Sequence, residues 1–115
     1  MFRIDEDNNI TITQGQTGYA TITLDDSSDL VIGANDTIKV QVRVKPNGGR
    51  MLYEGTADPE TLAWKIEPDD TMNIEPGRYY YDIRLTLAEN GDVFYIVDVS
   101  DFVIEENVTR GGTTT

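Results

Sequence analysis

The sequence predicts an all-β chain, an antiparallel sandwich or barrel of about seven to nine short strands. Three observations lead there. Apolar residues recur with a period of two almost everywhere, as in DTIKVQVRVK. Turn signals such as PNGG and ENGD interrupt that alternation every ten residues or so. Only EPDDTMNI reads as helical, and it is too short for more than a turn of helix.

The elements follow in order. Phe2 and Ile4 alternate with polar residues until DEDNN breaks the run, and Ile10 and Ile12 alternate with Thr11 and Thr13 until QGQTG turns the chain. YATITL places Ala20, Ile22 and Leu24 on one face, and DDSSDL reads as a loop. In DTIKVQVRVK the side chains of Ile38, Val40, Val42 and Val44 face inward, with Lys39, Gln41, Arg43 and Lys45 outward. After PNGG, MLYEG forms a short strand, and TLAWKIE puts Leu62, Trp64 and Ile66 on one face. RYYYDIRLTL, the AENGD turn and DVFYIVDV form a hairpin, with DFVIEE as a last short strand or the end of the previous one. Residues 1–109 make one domain, and RGGTTT at 110–115 reads as a flexible tail. A chain of 115 residues is long enough to bury a core without crosslinks.

Three consecutive tyrosines, Tyr79, Tyr80 and Tyr81, raise the question of an aromatic platform. Alternation divides them. Tyr79 and Tyr81 share the inward face of Ile83, Leu85 and Leu87, while Arg78, Tyr80, Asp82, Arg84 and Thr86 face outward. Tyr79 follows a Pro-Gly turn and precedes a second large inward residue. That is the setting of the tyrosine corner of immunoglobulin-like sandwiches, whose hydroxyl bonds to backbone upstream. DDT at 69–71 lies where a partner is expected. The expected fold is therefore an antiparallel immunoglobulin-like β-sandwich, with Tyr79, Tyr81, Trp64, Val40 and Val42 as structural core. Tyr81 stands where antibody domains carry their second cysteine.

Composition narrows the function. The chain has no cysteine and no histidine, which removes disulfides, thiol chemistry, the commonest general base and the commonest metal ligand. Its 21 acidic and 9 basic residues give a net charge of −12, which repels nucleic acid and anionic membrane. No apolar run reaches the roughly 20 residues of a membrane span, and MFRIDEDNN lacks the apolar stretch of a signal peptide. The expectation is a protein made in a cytoplasm and used there or released by lysis. Asp5, Asp7 and Asn9 resemble the start of a calcium loop, but Ile10 and Gln16 occupy the positions that need glycine and glutamate, so a polar turn is expected. DDSSD at 25–29 offers no convergent cage. The serines have no histidine to activate them, and no loop marks a cleft for paired carboxylates. The expectation is no enzyme, no catalytic or metal site and no cofactor. Asn-X-Thr triplets at Asn9, Asn35 and Asn107 read as turn asparagines before β-forming residues.

A candidate interaction surface remains. Lys39, Arg43 and Lys45 face outward on one strand, and Arg78, Tyr80 and Arg84 on the strand expected beside it. Two readings stand: cross-strand pairing with acids such as Asp82, or self-assembly in which the basic patch meets acidic loops of a neighbour. DVFYIVDV is apolar on both faces, so its inward set is either Val93, Tyr95, Val97 and Val99, or Phe94 and Ile96. Such a strand suggests cover from a neighbouring subunit.

The order of motifs resembles a domain family of tailed bacteriophages of Gram-positive bacteria. ITITQGQTG at 10–18, the YATITL strand, DTIKVQVRVK, PGRYYYDIRL and FVIEENVT at 102–109 follow one another as in that family. The chain up to Thr109 is similar to the immunoglobulin-like N-terminal domain of phage baseplate upper proteins and related head or tail fibre proteins. Gln16 departs from the pattern, where an acid is expected, and the chain ends after the module. It would be a stand-alone virion protein or a fragment. The resemblance implies a virion structural protein, made in the host bacterial cytoplasm, that docks onto other virion proteins and forms homo-oligomers in the particle. It implies no catalytic residues. Alternative readings are a carbohydrate- or host-surface-binding module presenting Tyr80, Tyr53 and Tyr19, or a capsid decoration protein.

Overall fold

A computed structural model describes residues 2–23, 31–46 and 48–107. DDSSDL, Leu24 and the tail at 110–115 lie outside these residues. The strands are β1 (Phe2–Ile4), β2 (Ile10–Thr13), β3 (Gly18–Thr21), β4 (Thr37–Lys45), β5 (Gly48–Ala57), β6 (Ala63–Ile66), β7 (Gly77–Thr86) and β8 (Val93–Glu105), with one helix, α1 (Pro68–Met72). Six strands form one sheet in the order β1-β2-β8-β7-β4-β5, and β3 pairs with β6 in a second. The chain is thus mostly β, in two sheets. It is not antiparallel throughout: β2 runs parallel to β8, with Ile10 opposite Phe102 and Ile12 opposite Ile104. DFVIEE is the end of β8 rather than a separate strand, and MLYEG belongs to a ten-residue strand.

Alternation builds the core. Ile38, Val40 and Val42 stand opposite Leu85, Ile83 and Tyr81 on the same face of the large sheet, and all six are buried. Phe102, Ile104, Ile10 and Ile12 extend that face, while Trp64 and Ile66 cover it from the small sheet. Val40, Val42, Trp64 and Tyr81 are core residues as expected. Burying a large apolar side chain contributes about 1.5–3 kcal/mol. Trp64 stacks on Tyr81 at 6.4 Å between ring centroids, and its indole N–H donates to the Tyr53 hydroxyl at 3.2 Å.

Several sequence expectations need correction. Val44 is exposed rather than inward, because pairing irregularities around Arg43 end the alternation before the hairpin. Tyr53 is not presented to solvent. It stands opposite inward Val42 and lies half-buried under Trp64. Tyr79 shares the inner face with Phe102 but is half-buried at the core margin, and outward Tyr80 is half-buried as well. The Tyr79 hydroxyl donates to the Glu75 carbonyl at 2.6 Å, not to residues 69–71. Those residues form α1 instead, where the Glu67 N–H donates to the Asp70 carboxylate at 2.7 Å and closes its first turn.

Neither proposed register of DVFYIVDV holds along its whole length. Tyr81 pairs with Ser100, Ile83 with Val97 and Arg84 with Tyr95, so β8 takes up an extra residue on either side of Ile83's partner. Each bulge switches the face. Val97 is buried, Phe94 stands opposite inward Leu85, and Val93, Tyr95 and Val99 are exposed.

Candidate interaction surface

The outward face of β5, β4, β7 and β8 carries the sequence-derived candidates. Register sets Lys39 beside Arg84 and Arg43 beside Tyr80 on the β4–β7 pair, and Arg84 beside Tyr95 on the β7–β8 pair. Lys45 lies at the hairpin end opposite Gly48. Arg78 lies beyond Tyr80 and pairs with Asp101 of β8 at 3.8 Å. The structure therefore brings Lys39, Arg43, Tyr80 and Arg84 onto one contiguous area and sets Lys45 and Arg78 at its margin.

A polar relay fixes the basic side chains. Gln41 is buried between them, 8% exposed. Its amide donates to Glu54 at 2.8 Å and accepts from the Arg43 guanidinium at 2.8 Å. Glu54 also faces Lys39 at 3.4 Å. The Gln41 bond, with Lys39 nearby, holds the Glu54 carboxyl below its ordinary range. Arg43 reaches further, to the Gly49 carbonyl at 3.4 Å. The acid that meets Lys39 across the strands is thus Glu54, not Asp82. Asp82 sits among Arg84, Arg43 and Asp98, and burial raises its pKa against the pull of the two arginines.

Arg43 and Arg84 line a shallow hollow together with Asp82, Asp98, Tyr95 and Val99. Within it two guanidinium groups face two carboxylates. Tyr95 is 55% and Val99 47% exposed. Sequence reasoning did not place Tyr95, Asp98 and Val99 in this patch, although the two-faced apolar character of DVFYIVDV was their signal. On the small sheet Tyr19 is 70% exposed, with the Lys65 ammonium 5.4 Å from its ring centre. It lies on a different sheet from Tyr80 and Tyr95, so the exposed aromatics do not form one platform.

The acidic turn at Asp5–Asn9 is self-satisfied. Asp5 Oδ1 accepts from the N–H groups of Asp7 and Asn9, both at 2.9 Å. These bonds, the Asn9 N–H foremost, lower the Asp5 pKa. Asn8 takes a left-handed conformation at φ 68°. The polar-turn reading is the one the geometry supports. Among the described residues no group of three acidic side chains is placed to hold a metal ion. Between the sheets lies an apolar cleft of about 200 Å³ lined by Ile4, Ala20, Ile22, Trp64, Ile83 and Val97. No protein-family model matches this sequence, and no curated protein matches it.

Proposed function

We propose that the chain is a bacteriophage virion structural protein, a baseplate, tail or neck/head-fibre component that acts as an assembly adaptor through protein–protein contacts. The order of sequence motifs motivates this reading. Strand order supports its immunoglobulin-like part: β8, β7, β4 and β5 succeed one another as G, F, C and C′ do in variable-type domains, and β3 with β6 stand as B with E. The Tyr79 bond to Glu75 has the form of a tyrosine corner.

One observation carries the docking role. On a molecule of net charge −12, the outward face concentrates Lys39, Arg43 and Arg84 beside exposed Tyr95 and Val99, with Gln41 and Glu54 holding two of the cations in place. A fixed, partly apolar surface whose cations are interleaved with Glu54, Asp82 and Asp98 suits a protein partner of complementary charge pattern more than a nucleic acid, which the overall charge repels. Exposed charges steer and orient such a partner, and the aromatic and valine side chains supply area to bury.

The test is incorporation into the particle. A K39E/R43E/R84E variant that folds normally is expected to be lost from assembled virions, in which the unmodified chain occupies a defined position in a density map. Undiminished incorporation of that variant would overturn the assignment of this face. Absence of the chain from purified particles would overturn the virion reading. The capsid-decoration reading differs only in where the density lies. Glycan binding abolished by Tyr80→Ala would favour a surface-binding module, although Tyr53 is turned inward and Tyr80 is half-buried.

A further inference from the structure

We propose that two copies of this chain associate through the free edge of β8, residues Val93–Ser100, pairing antiparallel about a two-fold axis to join their six-stranded sheets into one. The inference deepens the homo-oligomer part of the preceding reading but rests on different observations, and it holds whether or not the chain serves in a virion.

The edge arises from strand lengths. β8 runs thirteen residues, but β2 flanks it only from Phe102 to Glu105. At the boundary the Asn9 side chain accepts the Asp101 N–H at 2.9 Å and ends the paired region. Above that point β7 occupies one side of β8, and among the described residues no strand pairs with the other. An uncovered strand edge presents a row of main-chain donors and acceptors that another strand can complete.

Protective devices are sparse here. Residues 93–100 contain no lysine, no arginine and no proline, and Asp98 is their only charge. The bulges bend the strand without hiding its apolar side chains. Phe94 is 38% exposed on the inner face, while Val93, Tyr95 and Val99 are each about half exposed on the outer side. A strand added at this edge therefore meets apolar surface above and below the sheet. Buried Val97, on the same stretch, also borders the cleft between the sheets.

Charge and symmetry select a second copy as the occupant. Two molecules of charge −12 repel over most of their surfaces. In the hollow beside this edge Arg43 and Arg84 balance Asp82 and Asp98, so two copies approach there without net repulsion. Antiparallel pairing is itself two-fold symmetric. An edge that is apolar on both faces then becomes its own complement, which is the requirement of an isologous interface.

The test uses the full chain. Sedimentation equilibrium from micromolar to submillimolar concentration is expected to give a monomer–dimer equilibrium. Hydrogen exchange is expected to slow at amides within 93–100 as concentration rises. Placing lysines on the edge in V93K/V99K, at two exposed positions, should weaken association by at least about tenfold with far-UV circular dichroism unchanged. Should that variant fail to fold, Val99→Thr, nearly isosteric and polar, must weaken association instead. A chain that stays monomeric at the highest concentration overturns the proposal, as does a dimer whose affinity and exchange the edge variants leave unchanged. A monomer that nevertheless enters virions would sink the β8 pairing and leave the virion reading standing.

Discussion

Tyr81 and Trp64 bring the two sheets together: their rings lie 6.4 Å apart with planes inclined by 24°. Tyr81 is 3% exposed, also meets Phe102 edge-on, and donates its hydroxyl to the Asn8 carbonyl. One side chain thereby joins β7, β6, β8 and the turn at Asp5–Asn9. Burial raises the phenol pKa, so the hydroxyl remains a donor across the neutral range. Tyr81→Ala is expected to cost about 3–5 kcal/mol as an aromatic-to-alanine core change. Tyr81→Phe keeps the ring and leaves the Asn8 carbonyl without this donor, at about 1–3 kcal/mol. Denaturant titrations of both variants check the order, and a Phe variant as damaged as the Ala variant would contradict it.

The neighbouring tyrosines separate by hydrogen bonding rather than by burial. Tyr79 and Tyr80 are both half-buried, but only the Tyr79 hydroxyl has a partner among the described residues, at Glu75. Tyr79→Phe should lose about 0.5–1.5 kcal/mol, the net contribution of one hydrogen bond, and Tyr80→Phe should stay within about 0.5 kcal/mol of the parent. Equal losses in thermal or urea unfolding would show that the Glu75 bond does not pin the turn before β7.

Much of this architecture is legible in the chain. Alternation identifies Val40 and Val42 as core and divides the three tyrosines between the two faces of β7. What it misses depends on pairing. The parallel approach of β2 to β8 brings Asn9 to Asp101 across most of the sequence, and no local pattern encodes that. The bulges in β8 exist only relative to β7, so DVFYIVDV taken alone supports two registers when each holds over part of the strand. The acid that meets Lys39 is settled by the register of β5 after the hairpin, which selects Glu54 over Asp82.

Thr71 and Gln14 lock α1 to the end of the large sheet. Thr71, 2% exposed, accepts the Gly15 N–H at 2.8 Å, and the buried Gln14 amide donates to the carbonyls of Met72 at 3.1 Å and Ile74 at 2.8 Å. Gly15 takes φ 79°, a left-handed conformation that glycine adopts without strain. Thr71→Val preserves shape and removes the acceptor, so a loss of about 1–3 kcal/mol is expected from the unsatisfied Gly15 N–H. Fast exchange of that amide in the variant would identify the cause. An unchanged exchange rate would assign any loss to packing.

Gly55 is required by its neighbours. A β-carbon there would collide with the Tyr53 hydroxyl and come within 2.8 Å of the Trp64 indole nitrogen. Those two atoms form the hydrogen bond that seats Trp64. Gly55→Ala should therefore cost about 1–3 kcal/mol by overpacking. Because Trp64 is the only tryptophan, its fluorescence should report the displacement directly. A variant with parental stability and emission would show that Tyr53 can move aside freely.

Asp82 and Glu54 should respond to pH in opposite directions, although they lie on one face. Burial lifts the Asp82 pKa above its ordinary value, so the folded chain binds that proton more tightly than the unfolded chain. Stability from this site is therefore gained as pH falls through the raised folded value, and the charged form is a liability at neutral pH. Glu54 is lowered by its Gln41 bond; its contribution is present above the unfolded pKa and is lost as pH falls through the folded value. Asp82→Asn should be most favourable relative to the parent at neutral pH and lose that advantage on acidification. Glu54→Gln should be most harmful at neutral pH and approach the parent as the medium becomes acidic. Paired denaturant titrations across that range cancel carboxylates common to both proteins. The Asp82 assignment fails if the gap between Asp82→Asn and the parent widens on acidification in the variant's favour, because the carboxylate would then be stabilised by Arg43 and Arg84 more than it is penalised by burial.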